Sequence, residues 1–198
     1  MARPSSRQRG VAAVEFALLL PFLLILLFGM VDAGRALQAK IIMVNLAREG
    51  ANLVSRGSVD LASGSQDIIY ALMASAPPLN VNQRGMVYIT RIMGASDKSV
   101  VLDQYRWDDK ARNLGFGASA YGPASAVYGC GTWNAGACTS VSSTNRPQTT
   151  VMSGQLDEGE VVVVVETFYK YDMLIPSAAT NMLGLPTIGP DLYSMTIF

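Results

Sequence analysis

The sequence predicts an α+β protein: one long N-terminal helix, its first half fit for a membrane, packed on a small antiparallel sheet. Three observations carry that expectation. Residues 11–31 are almost uninterruptedly apolar, helical periodicity continues to about residue 55, and short β-branched runs bounded by turn residues follow residue 86. The 198 residues are 50% apolar and 15% charged, well below the roughly 25% charged of an average soluble domain. That length supports one domain with a membrane segment. The net charge of zero argues against a nucleic-acid partner, which needs a basic face. No histidine is present, which removes Ser-His and Cys-His catalysis and most catalytic zinc sites. Two cysteines cannot build a structural zinc centre either. No enzymatic activity, metal or cofactor is therefore expected.

The helix begins with a basic leader. Residues 1–10 hold Arg3, Arg7 and Arg9 and no acid. Val11 to Val31 follow, with one charge (Glu15), one proline (Pro21) and one glycine (Gly29). At about 1.5 Å per residue this run spans roughly 31 Å, matching about 30 Å of hydrocarbon. The arginines before it predict a cytoplasmic N-terminus, with everything after Asp32 outside the inner membrane.

Glu15 is the anomaly. A carboxylate held in hydrocarbon costs a few kcal/mol, and a plain signal anchor gains nothing from it. A cleaved secretory signal is a second reading, with Val31-Asp32-Ala33 as its small-residue end, but its apolar region is normally about 7–15 residues. Cleavage between Gly10 and Val11 explains the acid. Val11 would then carry a new α-amine, and Glu15, at mature position five, would pair with that amine, its own or a neighbour's. A bland alternative is an interfacial glutamate reaching the headgroups.

The segment Gly10-Val11-Ala12-Ala13-Val14-Glu15-Phe16 resembles the processing site of type IV pilin-like subunits. The basic leader, the glycine before the cut, and Glu-Phe at mature positions five and six all match. The longer string RGVAAVEFALLLPFLLILLFGMVDAGRAL resembles the TadE-like minor pilins, or pseudopilins, of the tight-adherence (Tad/Flp) pilus. Downstream, Asn45-Leu46-Ala47-Arg48-Glu49-Gly50-Ala51 is similar to a family segment that often reads Glu-Gly-Ala-Arg, with Asn52 here in place of the arginine. The specific likeness covers roughly residues 8–52; beyond it only the layout is pilin-like. The resemblance implies a prepilin peptidase cutting after Gly10, and assembly with other pilin subunits and the Tad inner-membrane platform. The chemistry would belong to the peptidase, with this chain as its substrate. Removing residues 1–10 takes away three of the 15 basic residues and none of the 15 acidic ones, leaving a mature net charge of −3.

From Ile42 onward the apolar positions Ile42, Met43, Leu46, Ala47, Leu53 and Val54 form one helical stripe, with Asn45, Arg48, Glu49, Asn52 and Arg56 opposite. Leu37, Ile41 and Val44 form a second apolar line. Two readings follow: one face meets the domain and the other meets neighbouring subunits, or the helix is buried inside one domain. Pro21 frees the carbonyl of Ala17 and predicts a kink. Gly57 is the expected stop, dividing the helix into a membrane half, 11–31, and an outer half, 32–57.

Residues 58–198 form the outer domain. Asp67–Ser75 reads as a short helix stopped by Pro77-Pro78. Met86–Met93, Ser99–Trp107, Glu160–Tyr171 and Leu192–Phe198 read as strands, giving a sheet of about four. Five consecutive valines, Val161 to Val165, predict a strand covered on both faces. In residues 115–150, Gly, Ala, Ser and Thr make up 22 of 36 positions and Arg146 is the only charge, which reads as a long loop or small hairpins. Within it, Cys130 and Cys138 flank seven residues in a region expected to be periplasmic, where a disulfide is the natural state. Trp133 at the ring's tip is either a contact for a partner or folded back onto the domain. Tyr121, Tyr128 and Phe116 are candidates to cover the sheet. The acidic pairs Asp108-Asp109 and Asp157-Glu158 lack the spacing of a calcium loop and read as solvated turns. The competing function is a membrane-anchored or secreted adhesin-like domain, its disulfide loop contacting a ligand, without prepilin processing.

Overall fold

The computed structural model describes residues 6–56, 60–108, 121–171, 173 and 191–198, with side chains from residue 11 onward. Helix α1 runs Ser6–Ser55, unbroken through Pro21. The chain divides into two compact units: residues 1–38 with 172–189, and residues 39–171 with 190–198. The described part of the first is α1 through Gln38, apart from Met173. Along it every large apolar side chain from Val11 to Phe28 is exposed, as are Met30 and Val31. Arg35 pairs with Asp32 one turn back at 3.7 Å.

The second unit is the α+β domain. α1 enters it with Ala39, Met43, Leu46, Ala47, Gly50 and Ala51 buried. This stripe is rotated from the expected one: Leu53 is exposed, and small residues face inward instead. The reason is close approach. A Cβ on Gly50 would stand 2.9 Å from Leu72 Cδ1 and 3.1 Å from Val165 Cγ1, so the bare glycine lets these side chains pack directly against the helix backbone. On the other side Leu37 and Ile41 are exposed and Val44 is half-buried, so the second apolar line is left largely open. Gly57 lies outside the described residues.

Helix α2, Leu61–Ala74, starts six residues before the expected Asp67 because Asp60 caps it, accepting from the Ala62 N–H at 3.1 Å. It buries Leu61, Ile68, Ile69, Leu72 and Met73. A single turn, α3 (Val81–Arg84), is capped by Asn80 and leads into the sheet.

Four long strands appear where expected: β1 (Gly85–Ala95), β2 (Lys98–Arg106), β6 (Val161–Lys170) and β7 (Asp191–Ile197). Three two-residue strands join them: β3 (Trp133–Asn134), β4 (Ala137–Cys138) and β5 (Gln148–Thr149). The order is β3-β4-β2-β1-β6-β7, with β5 also on β2, and all pairings are antiparallel. β6 lies between β1 and β7 and buries Val163, Val164 and Val165, while Val161 at its start is 47% exposed. The valine run is thus covered on both faces from its third residue on.

The two faces have different covers. Val165 and Thr167 face α1, and the Thr167 hydroxyl donates to the Met43 carbonyl at 3.2 Å. On the other face Ile92, Val101 and Val164 pack with Val127 from the Gly/Ser/Thr-rich segment. That segment, described from Tyr121, therefore serves as the second layer of the core.

Candidate functional site

The segment expected from the sequence to be a processing site, Gly10 to Phe16, lies in α1. The Gly10–Val11 peptide bond is inside the helix. Glu15 and Phe16 are exposed on its surface. Val11 and Glu15 stand four residues apart, so Glu15 lies one turn above the Val11 backbone on the same face. A helix N-terminus created at Val11 would also present a positive dipole end to this carboxylate.

The disulfide loop is closed. Cys130 and Cys138 are bonded, with Cα atoms 6.0 Å apart, and the Ser140 hydroxyl lies 3.3 Å and 3.2 Å from the two sulfurs. The ring encloses the β3–β4 hairpin, whose turn uses Ala135 and Gly136 at positive φ. Gly136 is required there for space as well: a Cβ would lie 2.7 Å from the Arg106 carbonyl. Gln66 of α2 holds the end of β2 beside it, donating to the Arg106 carbonyl at 2.8 Å and accepting from the Asp108 N–H at 2.9 Å. Trp133 is half-buried. The Arg106 guanidinium sits 4.6 Å from its ring centre and the Tyr88 ring 5.9 Å away. One aromatic face is therefore occupied within the domain.

Sequence reading missed a buried carboxylate with three hydrogen-bond donors around it. Glu166, in the middle of β6, is fully buried. It accepts from the Ser125 hydroxyl, from the Ala126 N–H at 2.8 Å and from the Tyr193 hydroxyl at 3.0 Å. Gln104 donates to Ser125 Oγ and to the Tyr128 carbonyl, both at 3.0 Å. Tyr88 donates to the Pro123 carbonyl at 2.5 Å, and Thr149 to the Val127 carbonyl at 2.7 Å. Together these bonds fasten residues 123–128 to the sheet. The only available signal was a glutamate interrupting an apolar strand, where a charge is almost never placed without partners.

Burial raises the pKa of the Tyr88 and Tyr193 phenols, with the Glu166 charge adding to both shifts. Tyr121 is pushed up to about 12, first by desolvation and then by Asp191. Desolvation also raises Tyr105. Across β1 and β2, Arg91 forms a forked ion pair with Asp103, and that hydrogen bonding raises the guanidinium's pKa. Asp157 and Glu158 lie in an exposed turn where the Asp157 N–H donates to Glu160 at 2.9 Å. Asp109 and Phe116 fall outside the described residues. Among the described residues no group of three metal-ligating side chains occurs.

These features define a two-part protein: an exposed apolar helix long enough to cross a membrane, and an α+β domain with an oxidised disulfide. Residues 10–52 match the model of the TadE-like protein family. The match likens the N-terminal segment, from Gly10 onward, to TadE-like proteins, which are associated with pilus components. No curated protein and no solved structure matches the chain.

Proposed function

We propose that the chain is a minor pilin, or pseudopilin, of a Tad/Flp adhesive pilus, trimmed after Gly10 by a prepilin peptidase. The observation that carries this reading is the coincidence of the family match with the sequence pattern. The family match starts at Gly10, and the apolar run of the sequence starts at Val11, with Glu15 near its beginning. On this reading the leader stays cytoplasmic, residues 11–31 rest in the inner membrane, and the α+β domain lies in the periplasm. The chain performs no catalysis of its own. Its cleavage exposes the Val11 amine, one helical turn from Glu15. Pairing with the amine offsets the cost of holding the carboxylate in an apolar phase. Other pilin subunits and the Tad inner-membrane platform are its partners.

N-terminal sequencing of the protein from membranes tests the proposal. The expected first residue is Val11. A chain beginning at Met1, Ala2 or Gly34 sinks it and leaves an anchored or secreted domain. Glu15→Ala is expected to leave membrane insertion intact and to impair pilus assembly. Normal pili and normal adhesion in that strain would dismiss the amine-pairing role.

A further inference from the structure

The two sulfurs of the disulfide stand in unlike surroundings. Cys138 is buried, at 7% exposure, and lies in β4, where its backbone pairs with Trp133. Trp133 is held in turn by Arg106 and Tyr88. Cys130 lies in no strand and is half-buried. Two exposed glycines flank it, Gly129 and Gly131, and a Cβ on either would meet nothing within 4 Å. The chain beside Cys130 is therefore open. Near Cys138 the opposite holds, since Gly136 is packed against Arg106 and Gln66. One hydroxyl serves both sulfurs: Ser140 Oγ lies 3.3 Å from Cys130 Sγ and 3.2 Å from Cys138 Sγ. Bonded sulfurs carry no hydrogen, so Ser140 is the donor. Its oxygen accepts from the Tyr128 hydroxyl at 3.5 Å, and Tyr128 packs against the cluster of Ile92, Val101, Val127 and Val164. The donor is thus placed by the domain core rather than by the ring.

We propose that this disulfide is a thiol–disulfide exchange site with one point of entry. Cys130 is the sulfur an incoming thiol reaches, Cys138 is the buried sulfur that leaves and re-closes the ring, and Ser140 is its positioning residue. The partner is a thiol–disulfide oxidoreductase, a protein carrying an exchangeable dithiol or disulfide. In opening, the partner's thiolate bonds to Cys130 Sγ and the Cys130–Cys138 bond breaks. The electron pair goes to Cys138 Sγ, which leaves as a thiolate accepting the Ser140 hydrogen bond and then takes a proton from water. The partner's second thiol resolves the mixed disulfide, so the partner leaves oxidised and the chain is reduced by two electrons. Closure is the reverse: the Cys130 thiolate attacks the partner's disulfide, and Cys138 displaces the partner as a dithiol. Access and the choice of sulfur attacked govern such rates, and burial closes the route through Cys138. The bond ties the β3–β4 hairpin, which meets β2 at Tyr105 and Ala137, so opening loosens the support of Trp133.

Glutathione is the probe. The purified full chain in detergent is treated with reduced glutathione, quenched with N-ethylmaleimide and digested for mass spectrometry. The singly opened species is expected to carry glutathione on Cys130 and maleimide on Cys138, about tenfold over the reverse. An even split, or glutathione on Cys138, overturns the proposal. The preference is expected to vanish in urea, because it comes from the fold; one that persists there unchanged also overturns it. Cys138→Ala and Cys130→Ala leave one thiol each. Their rates with oxidised glutathione, each divided by the rate of the same variant in urea, are expected to favour Cys130 about tenfold, with circular dichroism checking that both are folded. Equal ratios in folded variants count against the proposal as well. Ser140→Ala is expected to slow opening several-fold. A serine that merely braced the ring would speed opening when removed, so faster or unchanged opening strikes Ser140 from its role. None of these readouts depends on cleavage at Gly10.

Discussion

Glu166 gives the most direct test of how the outer domain is held together. Replacing it with alanine removes the acceptor for the Ser125 hydroxyl, the Ala126 N–H and the Tyr193 hydroxyl. Each buried donor left unpaired costs about 1–3 kcal/mol. Against this, the mutant no longer buries a carboxylate, a relief of several kcal/mol at most. The hydroxyls of Ser125 and Tyr193 can rotate towards other acceptors, whereas the Ala126 N–H cannot. The expected net loss for Glu166→Ala is about 3 kcal/mol. Glu166→Gln keeps an acceptor for Ala126 and Tyr193 and faces Ser125 with a donor; it is expected to lose about 1.5 kcal/mol. At roughly 2–4 °C per kcal/mol for a domain of this size, the melting temperature should fall by about 6–12 °C and 3–6 °C respectively. Urea and thermal unfolding followed by tryptophan fluorescence read this directly, because Trp133 reports the cover and Trp107, buried and stacked 6.3 Å from Tyr70, reports the helix side. A Glu166→Ala protein within about 0.5 kcal/mol of the parent would refute the view that these bonds fasten the cover.

Two further outcomes follow from the same layer. Cys130→Ser should cost about 2.6 kcal/mol, the loop entropy of a ring of roughly nine residues; equal urea midpoints with and without reductant would remove the disulfide from the stabilising set. The tyrosines give a pH signature. Phenols whose folded pKa lies above the ordinary value near 10 keep their protons longer in the native state. The stability they contribute is fully present below pH about 10 and is lost as pH rises towards and beyond the folded values. Absorbance titration should show Tyr121 ionising near pH 12, with Tyr88, Tyr105 and Tyr193 also above the ordinary value. All eight tyrosines titrating together near pH 10 in folded protein would contradict the burial of these four rings.

Much of the architecture was legible because it depends on local periodicity. Continuous apolarity marked the helix from Val11, and β-branched runs marked the four long strands to within about two residues. Cys130 and Cys138 were readable as a pair because few residues separate them and no other cysteine competes. The inward face of α1 was harder. Sequence pattern weights large residues, so Leu53 looked like core, while the actual contact is made by Ala47, Gly50 and Ala51. Small residues win there because helix–sheet distance, a property of the pair, sets what fits. The start of α2 was missed for a similar reason: its first turn carries little apolar signal and is fixed by the Asp60 cap.

Residue order alone shows that a basic stretch precedes an apolar helix, that a glutamate sits one turn past a glycine-valine junction, and that a β-rich domain with two closely spaced cysteines follows. These are consequences of residue order along a few turns of chain. Packing between segments far apart in the chain makes the Gly/Ser/Thr-rich segment a layer of the core, lets Glu166 anchor it, and lays Trp133 against Arg106 and Tyr88. Each of those depends on groups distant in sequence: Glu166 meets Ser125 41 positions away. Burial and hydrogen-bond satisfaction are settled between such groups by packing.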